Sequence, residues 1–363
     1  MSTAGRPNAS APAESLAAAV RDAGFVRLAG TADGDALAAV GVLARAFRAT
    51  DIPFKASVRR VPRDDGTEAD VVVGVGADVG DVSVTDEPLA ATAFEAARKL
   101  GADPDAMLAL AGAVAAGAVP GEDAPLYEAA DSRLERRPGV AVPVADLADG
   151  LAHSTLVHAD FSGDGEAATA ALAELDLPAD LDADAHRRLA SMVALRAVDE
   201  AADRAGEAVE RALRPYAGGP FETLGGYADV LDACARVAPG TGVALALGHE
   251  PSGALDAWRE HGRRAHAAVR ESRTERHRGV VVVHAEGDAP LGTVARLTHA
   301  YRSPEPLVLA VADGEAAAHG AGAFEALDRA ATAADATATG RHATGHARDV
   351  DREAFVTALR EAV

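Results

Sequence analysis

Two carboxylates two residues apart, Asp33 and Asp35, mark the most informative stretch of the chain, Leu28-Ala-Gly-Thr-Ala-Asp33-Gly-Asp35-Ala-Leu37. Oxygen ligands at that spacing suit a divalent ion such as manganese or magnesium. The same residues also suit an acidic turn whose Asp35 caps the helix that follows. A second set is basic: Arg341, His342, His346 and Arg348 stand among glycines in Thr339-Gly-Arg-His-Ala-Thr-Gly345-His-Ala-Arg348. Glycine lets a phosphate approach the backbone closely, although a plain turn before the last helix accounts for the pattern as well. A third set is Arg259, Arg263, Arg264, Arg270, Arg273, Arg276 and Arg278, set against only Glu260, Glu271 and Glu275. Arg263, Arg270 and Arg273 fit one helix face, where guanidinium forks serve either phosphates or the chain's own carboxylates.

These residues need elements to position them. A helix over Glu14–Ala23, a strand over Phe25–Ala29 and a tight turn at Thr31–Asp35 lead into an Ala-rich helix over Ala36–Ala49. That order places Asp33 and Asp35 at the C-terminal edge of a parallel sheet, where α/β proteins bind ligands. A strand over Ala56–Arg60, an acidic loop over Arg63–Asp70 and the apolar run Asp70-Val-Val-Val-Gly-Val-Gly76 follow, then helices over Pro88–Leu100 and Pro104–Ala116. Strands alternating with such helices predict an α/β fold with a mostly parallel sheet flanked by helices. Residues 1–14 read as a disordered tail, 15–150 as the first domain, 151–214 as a helical linker and 215–363 as a smaller α/β domain. In that last domain a helix at Tyr227–Val237, a strand at Val243–Leu247, a helix through Trp258–Thr274, strands at Gly279–His284 and Pro306–Ala312, a Gly340–His346 loop and a final helix at Asp351–Ala362 are expected.

At 363 residues the chain is about twice a usual ~100–200-residue domain, and 48% hydrophobic composition is ample for cores, which excludes a disordered or fibrous protein. No run of about 18 apolar residues and no basic, then hydrophobic start appears, so a cytoplasmic protein without a membrane span is expected. Acidic residues number 56 against 35 basic ones, of which only Lys55 and Lys99 are lysines. This composition resembles that of proteins from salt-accumulating halophilic archaea, where surface carboxylates maintain hydration. Long-range repulsion is screened at molar salt, so acidity does not exclude nucleic acid. The lone Cys234, in VLDACARVA, reads as core packing, and no Walker loop, zinc-finger spacing or Ser-His-Asp order emerges.

The stretch around Asp33-Gly-Asp35-Ala36 resembles the first motif of the DHH phosphoesterase superfamily, which includes RecJ exonucleases and oligoribonucleases. The motif's histidine falls on Ala29 and its proline on Ala32. Phe221-Glu-Thr-Leu-Gly225-Gly226-Tyr is similar to the start of the C-terminal domain in archaeal RecJ-like proteins, and the segment around Arg341–Arg348 resembles that domain's Gly-Gly-Gly-His substrate loop. The resemblance implies nucleic-acid contacts at Gly225, Gly226, Arg341, His342, Gly345, His346 and Arg348, and metal ligands at Asp33 and Asp35. Active relatives hydrolyse phosphodiesters with two metal ions held by Asp and His. Here the first histidine is His153, the second-motif aspartate falls on Gly74 or Gly76 with Asp78 nearby, the Asp-His-His region falls near Thr85-Asp86-Glu87-Pro88, and the fourth aspartate falls on Ala115, Ala116 or Gly117. A degenerate active site is therefore expected, with no cofactor unless Mn or Mg supports residual activity. The resemblance further implies single-stranded DNA or RNA as a partner, and a GINS-type replication factor or an active RecJ-like paralogue as protein partners. The rival expectation is a manganese-dependent exonuclease or oligonucleotide phosphodiesterase.

Overall fold

The computed structural model describes residues 11–62, 68–121, 124–178, 181–199, 201–213, 215–250 and 252–363. Most of the expected acidic loop (63–67) lies outside them, as do residues 1–10 of the expected tail; the first helix already begins at Ala13. Two compact units result, one holding the chain up to Arg133 together with Val230–Leu255, the other Leu134–Asp229 together with Asp256–Val363.

The first unit opens with α1 (Ala13–Val20), β1 (Val26–Thr31), α2 (Gly34–Ala49), β2 (Phe54–Arg59), β3 (Val71–Val75), β4 (Val82–Val84), α3 (Leu89–Lys99), α4 (Ala106–Ala115) and α5 (Ala124–Ala130). Its four strands form a fully parallel sheet in the order β2-β1-β3-β4, with Leu28 opposite both Ala56 and Val73. The expected parallel α/β architecture is present. β1 is buried along its whole length, as a central parallel strand must be, and even Arg27 is enclosed. α2 carries buried residues on every side because helices pack around it.

The second unit begins with β5 (Glu135–Arg136), α6 (Leu147–His153), α7 (Gly165–Ala173), α8 (Ala183–Val198), α9 (Ala205–Ala212) and β6 (Tyr216–Ala217). Next come α10 (Leu224–Val237), α11 (Pro239–Ala246) and α12 (Ser252–Glu271). Residues 230–255 of that run belong to the first unit. The second unit ends with β7 (Arg273–His277), β8 (Val280–His284), α13 (Leu291–Tyr301), β9 (Leu307–Ala312), β10 (Gly314–Gly320), α14 (Ala323–Ala333), β11 (Thr337–Arg341), β12 (Thr344–Val350) and α15 (Arg352–Ala362). Its mixed sheet runs β11-β12-β10-β9-β8-β7, with β8 and β9 parallel. Alternation along β8 sends Val281 and Val283 into a core shared with α6–α9, α12 and α13, and Val280 and Val282 into another beneath α14 and α15. The helices read as a linker thus share one core with the C-terminal sheet.

Three expectations are corrected. Val243–Leu247 is helical, not a strand: Pro239 starts α11 and Gly248, with φ of 93°, ends it. A short apolar run alone does not separate the two states. Arg273 does not share a helix face with Arg263 and Arg270, because α12 stops at Glu271 and Arg273 opens an edge strand whose hairpin turns at Gly279, φ 88°. Gly340–His346 is not a loop but most of the β11–β12 hairpin, Gly340 pairing with Gly345. Cys234 is buried as expected, its thiol pushed up to about 12 by burial. Among the described residues no helix is long and apolar enough to cross a membrane.

Candidate functional site

The acidic turn joins the end of β1 to α2. Asp33 takes an extended conformation and is the N-cap of α2: Oδ1 accepts the Ala36 amide at 2.9 Å and Oδ2 accepts the Thr31 hydroxyl at 2.6 Å. Asp35 sits in the first turn of α2, only 2% exposed. Its carboxylate caps a different helix, Oδ2 accepting Leu89 N–H at 2.7 Å and Oδ1 accepting Ala90 N–H at 2.9 Å at the start of α3. The expectation that Asp35 caps α2 is thereby corrected, since the extended backbone at Asp33 gives the capping place to that residue. Between them, Gly34 donates its amide to Asp232 Oδ1 at 3.1 Å, and Asp232 is gripped by Arg236 through two bonds of 2.9 Å. A side chain at Gly34 would meet Ala115 Cβ at 2.8 Å.

This donor set does not fit a two-metal cage. Both oxygens of Asp35 and both of Asp33 face hydrogen-bond donors of the protein, Asp78 accepts the Ser83 hydroxyl, and the unit's only histidine, His249, is exposed. Among the described residues no three His, Cys, Asp or Glu groups are placed to hold a metal ion.

The glycine pair 225–226 serves packing. A Cβ at Gly226 would lie 2.3 Å from the Val142 carbonyl carbon, and one at Gly225 2.8 Å from Ala141 Cβ. Thr223 completes the join, donating its hydroxyl to Val142 O and accepting Gly226 N–H.

In the β11–β12 hairpin, Gly345 and Gly340 leave room for Leu327 and Phe324 of α14. The register pairs Arg341 with Thr344, Thr339 with His346 and Thr337 with Arg348, so Arg341, His346 and Arg348 share the opposite face of the sheet. His342 occupies the turn, mostly exposed, 3.4 Å from Glu325. Arg348 pairs with Asp349 at 2.6 Å. β10 continues this face with both an acid and an imidazole: Glu315 stands opposite Arg348, and His319 stands opposite Thr344 and lies edge-on to His299, which Arg204 contacts at 2.5 Å. Burial, then Arg204, holds His299 below its usual value. Sequence reasoning passed over His319, Arg204 and His299; two-residue alternation along β10 is the signal for His319 alone.

The Arg-rich stretch mostly satisfies itself. Arg259 binds Asp149 and Asp256, Arg263 and Arg264 share Glu260, Arg273 binds Glu275 and Arg276 binds Glu305. Arg263, aided by Arg264, brings Glu260 down to about 2. Deeper in this unit, Asp229 accepts bonds from the Thr155 amide and hydroxyl and from Trp258 Nε1, while Arg296 donates to Thr155. Burial pushes the Asp229 carboxyl up and these bonds oppose it. His158 and His266 stack with their Nδ1 atoms 2.9 Å apart. His266 Nε2 donates to Ser154 O, so when both rings are neutral it is His158 Nδ1 that donates to His266 Nδ1. Burial first, then neighbouring positive groups, lowers His158 to about 2 and His266 to about 3. His153 bonds the Asp149 main-chain carbonyl, and His284 lies 3.4 Å from Glu275.

Residues 272–361 match the family model described as "Uncharacterized protein rrnAC1427, C-terminal domain". Over its whole length the chain is 53% identical to the whole of protein rrnAC1427 of Haloarcula marismortui. Among solved structures, Cdc45 from Entamoeba histolytica superposes with a TM-score of 0.61 at 9% identity, over 96% of this chain and 98% of that one. RecJ from Thermus thermophilus, in complex with Mg2+, gives 0.50 at 16% identity over 96% of this chain, which spans only 51% of that RecJ. The chain has the RecJ-like DHH fold and belongs to the family of the Haloarcula marismortui protein rrnAC1427.

Proposed function

We propose that this chain is a RecJ-like protein without phosphodiesterase chemistry, a single-stranded nucleic-acid-binding and assembly subunit in DNA replication, DNA repair or RNA processing. The observation that carries the reading is the use of Asp33 and Asp35 as helix caps: carboxylates engaged at the N-termini of α2 and α3 are poor candidates for ligands of a metal that would activate water. The basic face formed by Arg341, His346 and Arg348 is the proposed nucleic-acid contact, and the fold shared with Cdc45 supports an assembly role, with a GINS-type factor or an active RecJ-like protein as partner. The acidic composition and the haloarchaeal relative support a salt-rich cytoplasm as its setting.

The deciding experiment incubates purified wild type and Asp33→Asn with labelled single-stranded DNA, RNA and dinucleotides in molar KCl and Mn2+, and measures strand binding with Arg341→Ala beside them. The expected outcome is binding without turnover, weakened several-fold by Arg341→Ala. Manganese-dependent hydrolysis that disappears in Asp33→Asn overturns the non-catalytic reading, and equal binding by Arg341→Ala removes the hairpin from it.

A further inference from the structure

α8 has an apolar side that the second unit does not cover. Its inner side, with Leu189, Met192, Val193 and Ala197, lies in the core, yet Leu195 is 70% exposed and Val198 44%. Only four large hydrophobic side chains among the described residues are exposed, and these two stand three residues apart on one helix. Beside Leu195 runs an open groove lined by Leu175 and Met192 and edged by Asp184, Arg187 and Arg188. A lone surface leucine is ordinary, but a leucine next to an apolar groove is a knob beside a hole, the combination that a twofold contact between identical chains requires. Charge on the same face has a matching order. Arg187 is held by Asp184, whereas Arg188 donates to the Leu175 carbonyl at 2.9 Å and has no carboxylate partner among the described residues. Asp199, at the C-terminal end of α8, is exposed and forms no ion pair among them either. At 3.6 residues per turn, positions 188, 195 and 199 fall within about 40° of one another, so Leu195 stands between a cation and an anion. Those two charges lie roughly 16 Å apart along the helix, too far to pair within one chain. A second copy turned end for end brings each Asp199 over the other copy's Arg188 and each Leu195 against its groove near Ser191. Copies of net charge −21 repel, but at molar salt the repulsion reaches only about 3 Å, which leaves apolar contact and directly apposed charges to decide.

We propose that α8 is a self-association face: two copies of this chain pair through antiparallel α8 helices, Leu195 of each seated in the groove of the other and Arg188 of each paired with Asp199 of the other. The contact depends on neither the hairpin nor the acidic turn. Sedimentation equilibrium of the full chain over a concentration series in molar KCl tests it, with buried Trp258 reporting by fluorescence that each variant is folded. A reversible dimer is expected. Leu195→Asp should weaken it at least about 10-fold, or ~1.4 kcal/mol, while Val119→Asp, at an exposed apolar position of the first unit, should behave as wild type. Arg188→Asp and Asp199→Arg should each weaken it several-fold, and the variant carrying both should recover most of that loss, because the exchanged charges meet again across the pair. A monomer at every concentration overturns the proposal and leaves the face to a different protein. A dimer that Leu195→Asp leaves intact, or that the double exchange fails to restore, overturns it as well.

Discussion

Asp35 is the residue on which a metal role and a structural role make opposite demands. Its two oxygens hold the first amides of α3, a buried, charge-assisted arrangement. Asp35→Ala is expected to lower stability by about 2–4 kcal/mol and Asp35→Asn by about half as much, because the amide keeps one acceptor. Urea unfolding in the presence of a chelator checks this. If the loss appears only when Mn2+ is added, the carboxylate acts through a metal after all. The spacing of Asp33 and Asp35 was legible in the sequence, and so was the choice between cap and ligand. Which amides Asp35 would meet was not, since Leu89 lies 54 residues away and only packing brings them together.

Among the elements, glycine positions divide into those that packing requires and those it does not. At Gly226 the start of α10 runs against the main chain of Val142 and Pro143, so Gly226→Ala is expected to cost at least about 2–3 kcal/mol through backbone displacement. Gly165, the first residue of α7, has open space around its missing Cβ, and Gly165→Ala should be neutral or stabilise by a few tenths of a kcal/mol. Thermal melts of the two variants check the contrast; equal melting temperatures would show that the 140–143 segment yields. The resemblance implies nucleic-acid contacts at Gly225 and Gly226; the structure adds a packing role for both that a single sequence does not reveal. The hairpin had a similar fate: Gly340 and Gly345 read as loop punctuation, yet they pair across two strands because α14 leaves no room for side chains.

Whole-molecule stability carries an acid dependence set by the buried imidazoles. His158 and His266 have folded values of about 2 and about 3 against an ordinary 6.5. Above about pH 7 both states are neutral and the pair leaves stability unchanged. Below about 6.5 the unfolded chain takes protons that the folded chain refuses, so stability falls with the pH, by up to about 1.4 kcal/mol per pH unit for each ring. Between about pH 6.5 and 5, before carboxylate titration dominates, His158→Gln should roughly halve this slope. Trp258, the only tryptophan and buried in the same unit, reports the transition. A flat stability profile in that window would mean that the folded pair accepts protons.

Local pattern sufficed for the parallel α/β opening, the acidic turn after β1, the lack of histidine before His153 and the acid-rich character of the chain, because apolar runs, turn residues and residue counts belong to short segments or to composition. Folding in three dimensions settled the rest: Val243–Leu247 is a helix against α2, the arginines of α12 are mostly paired, and Asp35 meets the first amides of α3. Those outcomes depend on partners distant in the chain, and long-range packing overrides what a short segment prefers in isolation.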